Sequence, residues 1–358
     1  MNSDLQFLKT RANFIRFSYI EEMEKNLLAF ETRLSSKNIK VKWMSEEAEL
    51  VDFICKSMPK NNYNKICFDI PQIPDAFSEK KIFIKKIEIK DLENNSETAE
   101  NLVIQANFGI VENGSIVFIN KQSKNCFNNV EKIFIILNIN DLVIRQSDLD
   151  LLLSTQKMVG KTISYNDIKI ISAPPSRIIT KKFQISNEDN YTSEKVEVFL
   201  ILYDNNITEV LEDNVLRETL YCINCGKCKE VCPVYQQTKE LSPIELIKYH
   251  CKNENKQAVK LFENTTLCGN CNEVCPVQIN FTQLIINQMQ SFSRRNSFHE
   301  KNLDLFKIFA KRHKMNKLNS KFRRYFFLRK YYGKNKKLTN YLSRYKEDFF
   351  NITQKEIH

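Results

Sequence analysis

Cys222-Ile-Asn-Cys225-Gly-Lys-Cys228-Lys-Glu-Val-Cys232-Pro233 and, after a spacer, Leu267-Cys268-Gly-Asn-Cys271-Asn-Glu-Val-Cys275-Pro276 are the two stretches around which the chain is organised. The first has the spacing C-x2-C-x2-C-x3-C-P, that of a bacterial ferredoxin loop around a cubane iron–sulfur cluster. Three thiolates on one tight loop hold three corners of a cube. The fourth Cys lies too far along the turn and ligates the other cluster in a two-cluster protein. Zinc is the competing reading, because ribbons and knuckles use paired C-x2-C runs. Neither the third Cys at the same interval nor the trailing Cys-Pro is needed for zinc. A disulfide framework suits a short secreted chain, and this one has 358 residues and no visible secretory signal.

The second run is incomplete. Aligned on Cys-Pro, its first ligand position falls on Thr265. If the runs exchange their fourth ligands, cluster one is held by Cys222, Cys225, Cys228 and Cys275. Cluster two then has Cys232, Cys268 and Cys271, and one of its irons lacks a motif thiolate. Cys251, a hydroxyl such as Thr265 or Thr266, water, a partner residue or a substrate are the open alternatives, as is loss of that iron to leave a three-iron cluster. Cys251 also reads as an ordinary buried helix thiol.

Working outward, the length supports one large domain or two ordinary ones. No run of 18 apolar residues predicts a membrane span. The start, Met1-Asn-Ser-Asp-Leu-Gln, lacks the basic residues and apolar core of a signal peptide. Thiolate ligands for iron fit a reducing cytoplasm. The net charge of +11 is uneven: Ser291 to His358 holds 19 Lys or Arg against 5 Asp or Glu, so the rest of the chain is slightly acidic.

Residues 4–34 carry apolar residues at helical spacing and predict one long helix or two. Val41–Trp43 and Lys65–Asp69 predict strands, and Ser45 is the expected N-cap of the helix between them. This alternation predicts an α/β domain with a largely parallel sheet. Ile82–Ile89 also reads as a strand. Ala106–Ile119 predicts a hairpin turning at Asn113-Gly114, with Glu112 a solvated turn acid. Lys132–Leu137 is a near-continuous apolar strand, the pattern of a strand covered on both faces. Asp148–Gln156 reads as helix, and Ile168–Ile171 and Val196–Tyr203 as strands. Pro174-Pro-Ser-Arg177 reads as a rigid connector or a loop able to hold an anion through Ser176 and Arg177. A helix over Ile207–Leu220 delivers the first Cys run, with a domain boundary near 205–215. Ser242-Pro-Ile-Glu245 is a capping box starting a helix to about Cys251. A short helix is expected over Lys256–Glu263, and Asn280 caps another running to about Phe292. Helices around two cluster loops predict an all-α ferredoxin-like module. The resulting division is 1–210, 211–292 and a basic, aromatic helical tail over 293–358. The tail reads as a partner-docking or membrane-surface helix; nucleic acid ranks last, with no recognised module present.

No G-x-G-x-x-G and no G-x4-G-K-[ST] occurs, so no nucleotide, nicotinamide or flavin site is marked. Cys55, Cys67 and Cys126 read as structural thiols. The chain by itself reads as an electron carrier, with no catalytic residue for taking a hydride.

Four segments resemble the lactate utilization protein B family, the iron–sulfur subunit of a three-component L-lactate oxidation system: Ala106–Val117, Lys132–Leu152, Asn214–Tyr235 and Thr266–Ile279. The family resembles this chain in having three Cys in its second run. The resemblance implies a LUD-type, NagB/RpiA/CoA-transferase-like α/β domain at the N-terminus. It implies two [4Fe–4S] clusters with crossed ligands, and work beside a cysteine-rich electron-transfer subunit and a second LUD-type subunit. The chain departs from the family between Asp69 and Gln105, where it is shorter, and after 295. The expectation is an electron-transfer subunit of a cytoplasmic complex oxidising a 2-hydroxy acid such as L-lactate to pyruvate. The alternative is a binding or regulatory protein whose clusters are structural staples or redox sensors.

Overall fold

A computed structural model describes residues 3–58, 64–69, 84–87, 101–119, 127, 130–163, 168–181, 190–252 and 265–296. The chain divides into two compact units, Met1–Leu211 and Glu212–His358.

The first unit is α/β. Strands β1 (Lys40–Met44), β2 (Asn64–Asp69), β3 (Ile84–Ile87), β4 (Asn101–Gln105), β7 (Lys132–Asn138) and β12 (Glu197–Tyr203) form a six-stranded sheet in the order β1-β12-β7-β4-β2-β3. Every neighbouring pair is parallel. Ile133–Leu137 and Val198–Leu202 are buried without a break, as a strand covered on both faces requires. Helix α3 (Glu47–Lys56) covers one face: Leu50, Val51 and Ile54 join Val103, Phe134, Ile136, Phe199 and Ile201 in one core. Phe134 stacks on Phe199 at 5.2 Å and Phe53 meets both rings edge-on, geometries the ring quadrupole favours.

Residues 3–35 form two helices, α1 (Ser3–Glu21) and α2 (Met23–Ser35). Arg16 of α1 is buried. Its guanidinium donates to the Asn140 carbonyl at 2.7 Å, to Asn140 Oδ1 at 2.8 Å and to the Leu142 carbonyl at 3.2 Å. The neighbouring Tyr19 hydroxyl donates to the Ile139 carbonyl. These bonds satisfy irregular backbone after β7 that burial would otherwise strand. Helix α4 (Gln146–Met158) follows and packs on α1.

Several expectations are corrected. The cap of α3 is Glu46, not Ser45: the Glu49 carboxylate accepts from both Ser45 N (3.0 Å) and Glu46 N (3.5 Å), which places the turn one residue later. The Asn-Gly hairpin does not use a two-residue turn. Strands β5 (Phe108–Ile110) and β6 (Ser115–Ile119) are antiparallel with Ile110 opposite Ser115, so four residues form the loop. A two-residue type I′ turn needs positive φ at both centres; Gly114 has φ 61° but Asn113 is not left-handed. Instead Gly114 N donates to the Ile110 carbonyl at 2.9 Å and Asn113 Oδ1 accepts from Ser115 N. Glu112 is exposed, and its carboxylate accepts from Gln146 N at 3.1 Å, at the start of α4.

A second, mixed sheet, β8-β5-β6-β9, was not foreseen; it adds β8 (Leu142–Val143) and β9 (Ile168–Ile171). Nor was the hairpin of β10 (Ser176–Lys181) and β11 (Asn190–Lys195). Ser176 and Arg177 therefore open a strand rather than a loop, and their side chains lie outside the described residues. The helix expected over 207–220 is two pieces, α5 (Ile207–Glu212) and a 3-10 segment (Leu216–Tyr221). Asp213 Oδ1 accepts from Val215 N and Leu216 N, starting a new turn and ending the old one. The helix expected over 256–263, residue Cys126 and the basic tail lie outside the described residues. Cys67 is buried in β2 and Cys55 half-buried in α3.

Among the described residues the second unit is helical: α6 (Lys227–Val231), α7 (Pro233–Thr238), α8 (Pro243–Lys252), α9 (Asn270–Val274) and α10 (Phe281–Asn296). No helix among the described residues is long and apolar enough to cross a membrane.

Candidate metal centre

The two Cys runs fold alike. Each begins with a residue whose side chain accepts a backbone hydrogen bond from two positions on: Asn224 N to Cys222 Sγ and Leu267 N to Thr265 Oγ1, both at 3.4 Å. Each then carries two left-handed residues, Asn224 (φ 54°) and Gly226 (φ 80°) in the first, Leu267 (φ 48°) and Gly269 (φ 82°) in the second. Gly226 and Gly269 are the N-caps of α6 and α9; left-handed backbone is free only to Gly, and a Gly follows Cys225 and Cys268, the Cys at the second ligand position of each run. Both short helices end at an extended Cys, Cys232 (ψ 115°) and Cys275 (ψ 118°), from which Pro turns the chain.

Helix α6 packs against α9, and this pairing sorts the thiols. Cys222, Cys225 and Cys228 line one cavity with Cys275 from the second run; its volume is about 240 Å³. Cys232 from the first run lines another with Cys268 and Cys271, of about 50 Å³. The Cys that ends each five-residue helix lines the cavity of the other run, Cys232 the second and Cys275 the first. The two sets adjoin because α6 and α9, which carry Cys228 and Cys271, pack against each other. Among the described residues no three His, Cys, Asp or Glu converge as they would about one ion; the sulfurs are instead spread over cavity walls.

Further contacts shape the sulfurs' surroundings. Tyr235 N donates to Cys232 Sγ at 3.5 Å and Ile279 N to Cys275 Sγ at 3.4 Å. Such bonds steady a thiolate and set the potential of a cluster it holds. Burial pushes the Cys228 thiol up to about 12, and neighbouring Cys222 adds to the effect. Burial likewise lifts Cys275 to about 12 against the N–H groups of Ile279 and Val277. Cys271 and Cys232 are raised for the same reason. These thiols are protonated at neutral pH until a cation takes the proton's place, so metal uptake releases protons. The seven are free of disulfides, and an all-sulfur donor set with backbone N–H support fits iron–sulfur ligation.

The frame around the loops is capped as the sequence predicts. Ser242 N donates to Glu245 Oε2 at 2.9 Å and Glu245 N to Ser242 Oγ at 3.4 Å at the start of α8. Glu245 also pairs with Lys229 at 2.5 Å, tying α8 to α6. Asn280 Oδ1 accepts from Gln283 N (3.2 Å) at the start of α10, which runs to Asn296, beyond the expected Phe292. Cys251 lies near the end of α8, and its side chain is outside the described residues. Thr265 and Thr266 both line the second cavity. Sequence reading missed Thr238, Glu240 and Thr282, which line it too. No spacing rule reaches them, because helix packing brings them there.

Residues 218–279 match the family described as a 4Fe-4S dicluster domain. Among solved structures, a DUF162 family protein from Deinococcus radiodurans aligns with 51% of this chain and 98% of its own, at 12% identity and a TM-score of 0.34, too low an overlap to carry an argument. No curated protein matches the chain. The dicluster match indicates an iron–sulfur electron-transfer role for this segment.

Proposed function

We propose that the chain is the electron-transfer subunit of a complex oxidising a 2-hydroxy acid, L-lactate first among them. In this reading it holds two iron–sulfur clusters side by side. The observation that carries the electron-transfer part is the sorting of seven thiols from two runs into two adjoining sulfur-lined cavities. Cys222, Cys225, Cys228 and Cys275 hold the first cluster, and Cys232, Cys268 and Cys271 three corners of the second. When bound, such clusters supply one-electron steps. The chain's own part is to fix the sulfurs, donate N–H groups to them and set the two sites next to each other.

The hydroxy acid and the partners, a cysteine-rich subunit and a second LUD-type subunit, rest on the sequence resemblance over 106–117, 132–152, 214–235 and 266–279. Docking through the basic tail and a cytoplasmic location belong to the same proposal. The test has two stages. Anaerobically purified protein is assayed for iron and acid-labile sulfide, with EPR before and after dithionite. Reducible cubane signals are expected; zinc without labile sulfide, even after reconstitution, would end the electron-transfer reading. The chain is then mixed with L-lactate alone and with the two partner subunits. Reduction of the clusters only in the mixture is expected, and reduction by lactate without partners would refute the division of labour.

A further inference from the structure

At their ligand positions the two runs differ in one place. Where the first has Cys222, the second has Thr265, and the backbone treats them alike: each side chain accepts from the N–H two residues on, at 3.4 Å in both, and each is followed by the same pair of left-handed residues. Thr265 is thus built as the twin of a ligand, with oxygen in place of sulfur, and it lines the cavity that has three thiols. The lining of the same cavity includes a second hydroxyl. Thr282 is 4% exposed, and its Oγ1 has no hydrogen-bond partner among the described residues. A buried hydroxyl left unsatisfied costs about 1–3 kcal/mol, so it points to a group that fills the cavity when the site is loaded. Thr266, 7% exposed, adds a third hydroxyl to the lining.

We propose that the Thr265 corner of the second cavity is an oxygen site. A small solvent-derived ligand, water or hydroxide, occupies the fourth corner of the cluster held by Cys232, Cys268 and Cys271, positioned by the hydroxyls of Thr265 and Thr282. This rests on the iron–sulfur reading above. Solvent fits better than threonine itself as the ligand. A threonine side chain is shorter than a cysteine at the same backbone position, and its hydroxyl keeps its proton far above neutral pH. The Oγ1 of Thr265 already accepts from Leu267 N. A buried water needs 2–4 polar partners, and the threonines offer them. The first cavity, with four thiols, has no such corner. The two clusters therefore differ in kind: one closed, one open to exchange with a small oxygen donor.

The test uses the full chain, loaded anaerobically, in water enriched in oxygen-17. In the dithionite-reduced protein the second cluster's EPR signal should show an oxygen-17 coupling by ENDOR. Thr265→Cys should complete a four-thiolate set, abolish that coupling and lower the reduction constant of the second cluster about tenfold, which is about 59 mV for a one-electron couple. The first cluster's signal should not move. Thr282→Val, which removes the hydroxyl at nearly equal volume, should alter the coupling, and Thr282→Ser should restore it. A loaded second cluster with no oxygen-17 coupling overturns the proposal. So does coupling that survives unchanged in Thr265→Cys, or loss of the second cluster in Cys251→Ser. A three-iron signal that anaerobic Fe(II) converts to the coupled cubane supports the proposal, and one that persists overturns it. Absence of labile sulfide altogether defeats the electron-transfer reading first, so the two failures are distinguishable.

Discussion

Removing Cys225 and Cys275 together should cost no more iron than removing either alone. The two residues lie 50 positions apart in different runs, yet they line the same cavity. Among the described residues the first cavity has no hydroxyl in its lining to support a stand-in for a lost thiolate, so each single change to Ala disables the cluster it holds, and about four of about eight irons should remain. The double variant should still keep about four, because the second change strikes a site already lost. Cys275 with Cys268 is the converse pair, one from each cavity, and should leave almost none. If each run instead held its own cluster, the results would be reversed: near zero for the first pair and about four for the second. The fold should survive these changes. Cys275 is 8% exposed, and truncating a buried side chain of this size costs roughly 0.5–3 kcal/mol, against the 5–15 kcal/mol of a typical domain. Iron and sulfide per chain, with circular dichroism as the control for folding, decide the matter. Non-additivity is the mark of a shared site; independent losses for Cys225 and Cys275 would refute the crossed arrangement.

Other consequences are tested more simply. Gly109→Ala would set a Cβ 2.7 Å from Phe30 Cζ and 2.9 Å from Leu137 Cδ2, so it should destabilise the α/β unit by about 1–3 kcal/mol; the fluorescence of Trp43, the only Trp and part of β1, reports its urea midpoint. Ser242→Ala removes one half of the capping box of α8 and should lower stability by about 1 kcal/mol, seen as earlier bleaching of the cluster absorbance on heating. Burial alone would raise the Glu197 carboxyl, but its bond to Lys40 and the nearby Lys132 outweigh this and hold it below its usual value. The stability it contributes is therefore present above the unfolded carboxyl's pKa and is lost as pH falls through the lowered one. Glu197→Gln should cost under about 1 kcal/mol at pH 7, the pair being partly solvated, and less still at pH 3; a cost that grows on acidification would contradict this sign.

Local chemistry was legible wherever it closes on itself. The caps at Ser242 and Asn280 were readable because a polar side chain and the N–H it bonds lie within three residues. The apolar runs 132–137 and 196–203 were readable as strands because covering both faces leaves no polar alternation. Reading failed where two local solutions compete closely. Ser45 and Glu46 both offer a cap, and the Glu49 carboxylate settled it. Asn113-Gly114 allows a two-residue turn, yet the pairing of Ile110 with Ser115 fixed a longer one. At Asp213 a single side-chain bond pattern broke what periodicity read as one helix.

The sequence by itself determined the chemistry of the centre. Thiols at two- and three-residue intervals, with Gly to turn and Pro to leave, are a local code, because a tight loop can reach its own cavity. It also marked Thr265 as the place where a thiol is missing. Only the tertiary structure decided what surrounds that place. The pairing of α6 with α9 sends Cys232 and Cys275 to opposite cavities, and α10 brings the unsatisfied hydroxyl of Thr282 to the second of them. Those positions are set by packed helices whose contacts span tens of residues, and no interval along the chain encodes them.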